Sequence, residues 1–231
     1  MSLQQFCWGL FLFYLGESVK NLELFGDVIS NLYFEHSAKQ RGCNAVAGID
    51  EAGRGPLAGP VVAAAVILPE QFELPGLTDS KKMTEKRRSE LYPQICRQAI
   101  SYGIGVASAA EIDRINVLQA TLLAMQRAVT RLSLSPDHLL IDGITPLPVG
   151  ISQQTLKKGD SRSLSVAAAS VVAKVVRDRI MVSFDRQLPG YGFSRHKGYG
   201  TQQHCQAIAR LGPSVQHRKT FAGVKEYVGA R

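Results

Sequence analysis

Apolar and polar positions alternate along this chain in a pattern of short apolar runs followed by longer helical stripes. Residues 45–49 form one short apolar run, and residues 61–68 (VVAAAVIL) form a longer β-branched one. Between them Gly53, Gly55, Pro56, Gly59 and Pro60 mark a structured turn, so two neighbouring strands are predicted here. Thr84 is placed to cap a helix running from Glu85 towards Ile100, with Pro93 expected to break or kink it. Residues 104–107 predict a third strand. Ile112, Ile115, Leu122, Met125 and Val129 recur at helical spacing and predict an amphipathic helix whose stripe is core. Residues 139–141 predict a strand ending at Asp142-Gly143, and Thr155-Leu156 a fifth. Residues 161–188 read as a long helix, small and apolar at first. Ala168, Ala169 and Ser170 would let its backbone lie close against a sheet. Gly190, Gly192, Gly198 and Gly200 mark a loop, and residues 201–211 a further helix. Strands first, then alternating helices and strands, predict an α/β domain with a mixed sheet.

Length sharpens this picture. The 231 residues, 45% hydrophobic, suit one large domain, or one domain with a short appendage, and are ample to bury a core without a metal or disulfide staple. Cys7, Cys43, Cys96 and Cys205 lie far apart with no C-x-x-C pair, which excludes a thiolate zinc ribbon and predicts free thiols in a reducing cytoplasm. The net charge of +8 is unevenly spread. Residues 191–231 hold seven Lys or Arg against one acid, a balance of +6, and add His196, His204 and His217. Such a basic region is the footprint of a phosphate-backbone binder, although charge alone fits a solvated face as well.

No run reaches the roughly 18–20 apolar residues of a membrane span. Residues 6–15 (FCWGLFLFYL) resemble the apolar segment of a signal peptide, but no Lys or Arg precedes them and no A-x-A-like site follows. They read instead as an apolar arm packed on the body, or as sequence ahead of the native start.

Candidate chemistry lies where strands end. Asp50 and Glu51 close the first strand, Asp142 closes the fourth, and Asp160 follows the fifth. Side chains alternate along a strand, so one of the first pair faces the core, where a carboxylate is costly unless paired or bound to metal. An α/β sheet presents its site at strand ends, and acids without His or Cys partners suit hard cations, Mg²⁺ or Mn²⁺. Taken singly, each acid fits a cap or a surface charge equally well. Gly53, Arg54 and Gly55 allow close backbone approach and a bidentate phosphate contact, though an ordinary turn explains them too. Lys81, in Asp79-Ser80-Lys81-Lys82, is a further phosphate candidate, with a capping role for Asp79 as the plain reading. Arg195 and Lys197 stand beside Tyr199, on which a base or sugar could stack.

These stretches resemble a known family. GIDEAGRGPLAGPVVAAAVIL (48–68) closely resembles the opening of bacterial type 2 ribonuclease H, ribonuclease HII. DSKK (79–82), EIDRIN (111–116), LIDG (140–143), KGDSRSLSVAAASVVAKVVRDRIM (158–181), HKGYGT (196–201) and HRKTF (217–221) match it in the same order. The Gly-Arg-Gly looks like type 2 rather than type 3.

The resemblance implies an RNase H-like mixed five-stranded sheet flanked by helices, with a helical, basic C-terminal region. It implies an endonuclease that hydrolyses the RNA strand of RNA–DNA hybrids and incises 5′ to single ribonucleotides in duplex DNA. The products would be a 5′-phosphate and a 3′-hydroxyl, in ribonucleotide removal, primer removal and DNA repair. Asp50, Glu51, Asp142 and Asp160 would be catalytic and would hold two divalent cations, Mn²⁺ or Mg²⁺. Gly53, Arg54, Gly55 and Tyr199 would contact substrate, joined by Lys81, Arg195 and Lys197. The partners would be hybrid and ribonucleotide-containing duplex, for a cytoplasmic monomer with no membrane contact. Another RNase H-fold nuclease or integrase shares acidic clusters but lacks the Gly-Arg-Gly and His-Lys-Gly-Tyr pairing. A non-catalytic hybrid-binding protein would be expected to lack one acid, and all four are present. Three parts are expected: an N-terminal extension over 1–44, poorly ordered and dispensable for catalysis; a catalytic domain over 45–190; and a basic helical region over 191–231. The extension is the departure, since the family usually has only a short lead-in. Arg195, Lys197, Arg218 and Lys219 are the expected phosphate contacts of the basic region.

Overall fold

The computed structural model describes residues 31–229. The apolar run at 6–15 lies outside the described residues. Five strands form one sheet in the order β3-β2-β1-β4-β5, with β1 at Val46–Ala52, β2 at Val61–Ile67, β3 at Ser101–Ala107, β4 at His138–Asp142 and β5 at Ser152–Leu156. The first three are antiparallel neighbours, while β1–β4 and β4–β5 pair in parallel. The mixed α/β sheet is thus as expected, with β3 starting three residues earlier than its apolar run indicates.

Helices cover both faces. Helix α2 (Glu85–Gln98) and helix α4 (Leu164–Gln187) bury Leu91, Ile95, Ala168, Val171 and Val172 against Ala64 and Val66 of β2. Helix α3 (Ala109–Thr130) buries Ile112, Ala120, Ala124 and Ala128 against Ala47, Ile49, Ala63 and Ile141 on the opposite face. Both long helices lie almost on the sheet backbone. A Cβ on Gly48 of β1 would fall 2.1 Å from the Ser165 carbonyl carbon of α4, and one on Gly105 of β3 1.8 Å from the Ala124 oxygen of α3. Among the described residues, no helix is long and apolar enough to cross a membrane.

Three local expectations are corrected. Pro93 neither breaks nor ends α2, which runs unbroken from the Thr84 cap to Gln98. The carbonyl freed by the missing N–H belongs to exposed Ser89, where water can reach it, while Leu91 and Ile95 hold the other side in the core. The amphipathic helix α3 is two helices joined at Asn116, whose φ is +66°. The Asn116 side-chain oxygen accepts from the Leu118 and Gln119 N–H groups and so starts the second half. Finally, residues 33–40, expected to lie in a poorly ordered extension, form helix α1 (Tyr33–Gln40) and join the body. Phe34 and Ala38 are buried with Val46, Leu140, Leu156 and Val166 because their spacing puts both on one helix face.

Residues 191–211 pack on the end of α4. Met181 meets Ala58, Tyr191, Phe193 and Ala207, with Phe184 and Leu188 beside them. A helical turn (Phe193–His196) precedes helix α5 (Gln202–Leu211), which Thr201 caps.

Candidate active site

Strand register builds the centre of the site. Ile49 of β1 pairs with Ile141 of β4 in parallel, so Asp50 and Asp142 are the next residues along adjacent strands. Ile49 and Ile141 face α3, so by alternation both aspartates face α4. Asp160 arrives from the turn Gly159–Ser161 between β5 and α4. One oxygen from each of Asp50, Asp142 and Asp160 lies within 4.8 Å of the others.

Backbone groups and one helix hold these carboxylates in place. The Glu51 N–H donates to Asp50 Oδ1 at 2.6 Å, and the Gly159 N–H donates to Asp142 Oδ1 at 2.7 Å. Ser170 of α4 hydrogen-bonds Asp50, and its Oγ lies 2.7 Å from Ser80 Oγ, which ties the Asp79–Lys82 turn to the cluster. Asp79 Oδ1 accepts the Lys81 N–H at 2.8 Å in a local turn, but it caps no helix, since α2 starts at Glu85 under Thr84.

The electrostatics are strained. Asp50 is 2% exposed, and burial, then Glu51 and Asp142, push its carboxyl well above the usual range. Asp160 is raised by burial, then by Asp142 and Asp79, against the pull of Lys81. Glu51 is raised by burial, which Arg54 opposes and Asp142 reinforces. Lys81 Nζ lies 3.4 Å from Asp160 Oδ2, and Arg54 Nη1 lies 3.4 Å from Glu51 Oε1. Asp50 and Asp142 have no ion-pair partner among the described residues. A buried, all-oxygen cluster in which only Asp160 meets a cation, Lys81, fits a hard divalent ion.

The cleft above the cluster is lined by Gly53, Arg54, Gly55, Lys81, Lys174, Arg177 and Tyr199, around a cavity of about 220 Å³. Tyr199 is 47% exposed and stands over Gly55, where a Cβ would reach its ring at 4.0 Å.

The family model for ribonuclease HII matches residues 47–224. This chain belongs to the ribonuclease HII family. Ribonuclease HII of Syntrophotalea carbinolica is 64% identical over 208 residues, covering 90% of this chain and all of that one. The crystal structure of ribonuclease H2 from Pyrococcus horikoshii superposes with a TM-score of 0.67 at 24% identity, covering 80% of this chain and 97% of that one. Bst-RNase HIII in complex with Mn²⁺ superposes at 0.60 and 22% identity, covering 84% and 72%. Both share the RNase H-like fold. Membership of ribonuclease HII makes this chain a type 2 ribonuclease H, an endonuclease acting on RNA–DNA hybrids.

Within this ribonuclease HII, the sequence-based candidates meet unequally. Asp50, Glu51, Asp142, Asp160, Gly53, Arg54, Gly55, Lys81 and Tyr199 surround one cleft. Lys197 does not offer its ammonium there: Nζ donates to the Ser194 carbonyl at 2.5 Å and lies 3.8 Å from Glu85. Arg195 is exposed on the helical turn. Arg218, expected to bind phosphate, is fully buried instead. It donates to the carbonyls of Gly53, Arg54 and Gly59, while Arg177 donates to those of Ala58, Pro60 and Lys197. These two arginines and Ser170 are the site-building residues that sequence reasoning missed. EIDRIN also gains a role, as Asp113 accepts from the backbone of Lys219 and Thr220 and fastens the C-terminal region.

Proposed function

We propose that this enzyme hydrolyses the RNA strand of hybrids and also incises 5′ to a single ribonucleotide embedded in duplex DNA, leaving a 5′-phosphate and a 3′-hydroxyl. The observation that carries the reading is the convergence of Asp50, Asp142 and Asp160 within 4.8 Å below a rim formed by Gly53–Gly55 and Tyr199. Asp50 and Asp142 would be shared by two divalent cations, Mg²⁺ or Mn²⁺, with Glu51 and Asp160 completing the two positions. When bound, such ions supply an activated water, a Lewis acid at the phosphate and charge stabilisation for the leaving 3′-oxygen.

The protein's own groups bind and orient the strand. Lys81, held at Asp160, would meet a non-bridging phosphate oxygen, and exposed Arg54 an adjacent phosphate. The carbonyls of Gly53 and Arg54 are committed to Arg218, which leaves the N–H side of the same turn to read a 2′-hydroxyl. Tyr199 packs its ring on the next sugar, where another 2′-hydroxyl would crowd it. Arg195 and Lys219 extend phosphate contact along the duplex. Catalysis is assigned to the body around the sheet, and residues 191–231 add substrate contacts to those of Arg54, Lys81 and the Gly53–Gly55 turn. The free thiols Cys43, Cys96 and Cys205 suit a reducing cytoplasm, where a monomer would serve ribonucleotide and primer removal.

The test is incubation of a labelled duplex carrying one ribonucleotide with enzyme and Mg²⁺ or Mn²⁺, with EDTA as control. Metal-dependent incision on the 5′ side of the ribonucleotide, leaving an end that a polymerase extends, supports the reading. Cleavage of long hybrid without incision at the lone ribonucleotide removes the junction part, and binding without any cleavage removes the catalytic assignments.

A further inference from the structure

Helix α1 lies ahead of the matched segment 47–224, yet it reaches the catalytic turn. Glu35 is 7% exposed, and its Oε1 accepts from Ser163 Oγ at 2.6 Å, Ser165 Oγ at 2.7 Å and the Ser165 N–H at 3.0 Å. The Asn31 carbonyl accepts the Leu164 N–H at 2.9 Å, and Ser163 Oγ accepts the Val166 N–H at 3.2 Å. The first free N–H groups of α4 are therefore satisfied largely by residues 31–35. Beside them, the Arg162 guanidinium lies 4.8 Å over the Phe34 ring.

This grip falls immediately after the turn that carries Asp160. At one end of that turn the Gly159 N–H is tied to Asp142. At the other, the Ser163 N–H donates to the Gly159 carbonyl at 2.9 Å, while its hydroxyl is held by Glu35. As the cap Ser163 already takes the Val166 N–H, and water or a neutral side chain would serve the Ser165 N–H. Burying a carboxylate there without a cation, with Oε2 left unpartnered, is an expensive way to end a helix. The same contact is well suited to fixing where Ser163, and hence Asp160, sits.

We propose that Glu35 is a positioning residue for the carboxylate cluster, acting through Ser163 and Ser165 on the turn that presents Asp160. The inference rests on the reading of Asp160 as a metal-holding carboxylate. It also reverses the expectation that everything before residue 45 is dispensable: removal of residues 1–30 spares this contact, whereas a start at Arg41 deletes it.

The test compares Glu35→Ala, Glu35→Gln and Ser165→Ala with the full-length wild type, using Asp50→Asn as control. Three quantities are read: Mn²⁺ affinity of the substrate-free protein by calorimetry, amide exchange across residues 159–166, and kcat and KM on hybrid. Glu35→Ala should bind Mn²⁺ about tenfold more weakly and lose about tenfold in kcat at unchanged KM, with faster exchange in that segment. Glu35→Gln should recover most of this, because its amide oxygen still accepts from both serines. A folded Glu35→Ala protein with wild-type Mn²⁺ affinity and kcat overturns the proposal, as does equal damage in the Ala and Gln variants. Should Glu35→Ala fail to fold, Ser165→Ala decides, with a smaller shift in the same direction expected and unchanged Mn²⁺ affinity and exchange overturning it. An active Asp50→Asn would remove the reading of the site itself, and this inference with it. An inactive Asp50→Asn beside an unaffected Glu35→Ala would remove this inference alone.

Discussion

The guanidinium of Arg218 donates to the carbonyl of Arg54 at 2.7 Å, across 164 residues of sequence. It also reaches the carbonyls of Gly53 and Gly59 and is 0% exposed. Burial, then repulsion from Arg177, lowers its pKa to about 9, so a charge that costs energy is spent on holding one turn. Arg218→Ala strands several buried carbonyls and should destabilise the fold by about 2–4 kcal/mol. Its Kd for hybrid should keep the wild-type salt slope. Arg195→Ala and Lys219→Ala should each flatten that slope by about one unit while leaving stability unchanged. Urea unfolding and Kd against salt concentration check both halves. A flattened slope for Arg218→Ala would return that residue to the phosphate contacts.

Asp50→Asn should abolish cleavage and raise the stability of the metal-free protein. The carboxyl is raised well above its usual range by burial, then by Glu51 and Asp142. A raised acid binds protons more tightly when folded, so its stabilising share is present at low pH and is lost as pH rises above the unfolded value. At neutral pH the aspartate is therefore a burden that asparagine lifts. In EDTA the variant should melt a few degrees higher than wild type, and saturating Mg²⁺ should narrow or reverse the gap. Retention of more than about a tenth of wild-type activity, under about 1.4 kcal/mol, would remove Asp50 from the chemistry. Asp142→Asn should likewise abolish cleavage. Asp160→Asn should lose less, because Asp160 sits on a turn and is already shared with Lys81.

These aspartates were legible in the sequence because strands buried on both faces read as unbroken apolar runs. A run that stops at an acid marks the strand end at Asp142, whereas Asp50 and Glu51 lie inside β1, which runs on to Ala52 paired with β2. Parallel register then brings Asp50 and Asp142 together without any further signal. What escaped was what side chains do once buried. Ser170 reads as a small residue that lets α4 lie close, and nothing local marks it as a donor to Asp50. Arg218 reads as charge in a basic tail, since composition cannot separate a guanidinium in solvent from one spent on carbonyls. Glu35 lies in a stretch without a family motif, and its partners are more than a hundred residues away. The Asn116 break was hidden because Ile112, Ile115 and Leu122 keep helical spacing across it.

The Nε2 atoms of His204 and His217 lie 3.1 Å apart in the buried cluster beneath Tyr199. The Ser214 N–H donates to His217 Nδ1 at 2.9 Å, so the proton of His217 is on Nε2, facing His204. His204 then carries its own proton on Nδ1 and donates it to the Tyr199 carbonyl at 2.9 Å. Both rings are neutral. Burial, foremost, holds each at about 4. In the unfolded chain each takes up a proton near 6.5, so folding stability contributed by the pair is whole above that pH and drains away towards 4. The loss should be on the order of a few kcal/mol. Unfolding free energies of wild type and His217→Asn between pH 7.5 and 4.5 isolate it from the carboxylates. Wild type should fall more steeply, and parallel curves would mean that one ring is already charged in the native state.

Tyr199 should separate two substrates that the carboxylates treat alike. Its ring stands over Gly55, while its backbone is held from below by His204 and His196. The side chain is thus aimed by buried contacts that its own removal leaves standing. On a lone ribonucleotide, one register must place the 2′-hydroxyl at Gly53–Gly55 and the following deoxyribose under the ring. Tyr199→Ala should cost about 1–3 kcal/mol there, a fall of roughly five- to 150-fold in kcat/KM. On a long hybrid many registers present a 2′-hydroxyl to the turn, and the sugar under the ring always carries one as well. The ring is therefore not used to full effect on that substrate, and the loss should be only a few-fold. Tyr199→Phe should keep the preference, because the contact belongs to the ring face rather than to the hydroxyl. Single-turnover rates on both substrates decide the point. Equal losses would make Tyr199 a general anchor for the backbone, and the reading of the junction would then rest on Gly53–Gly55 alone.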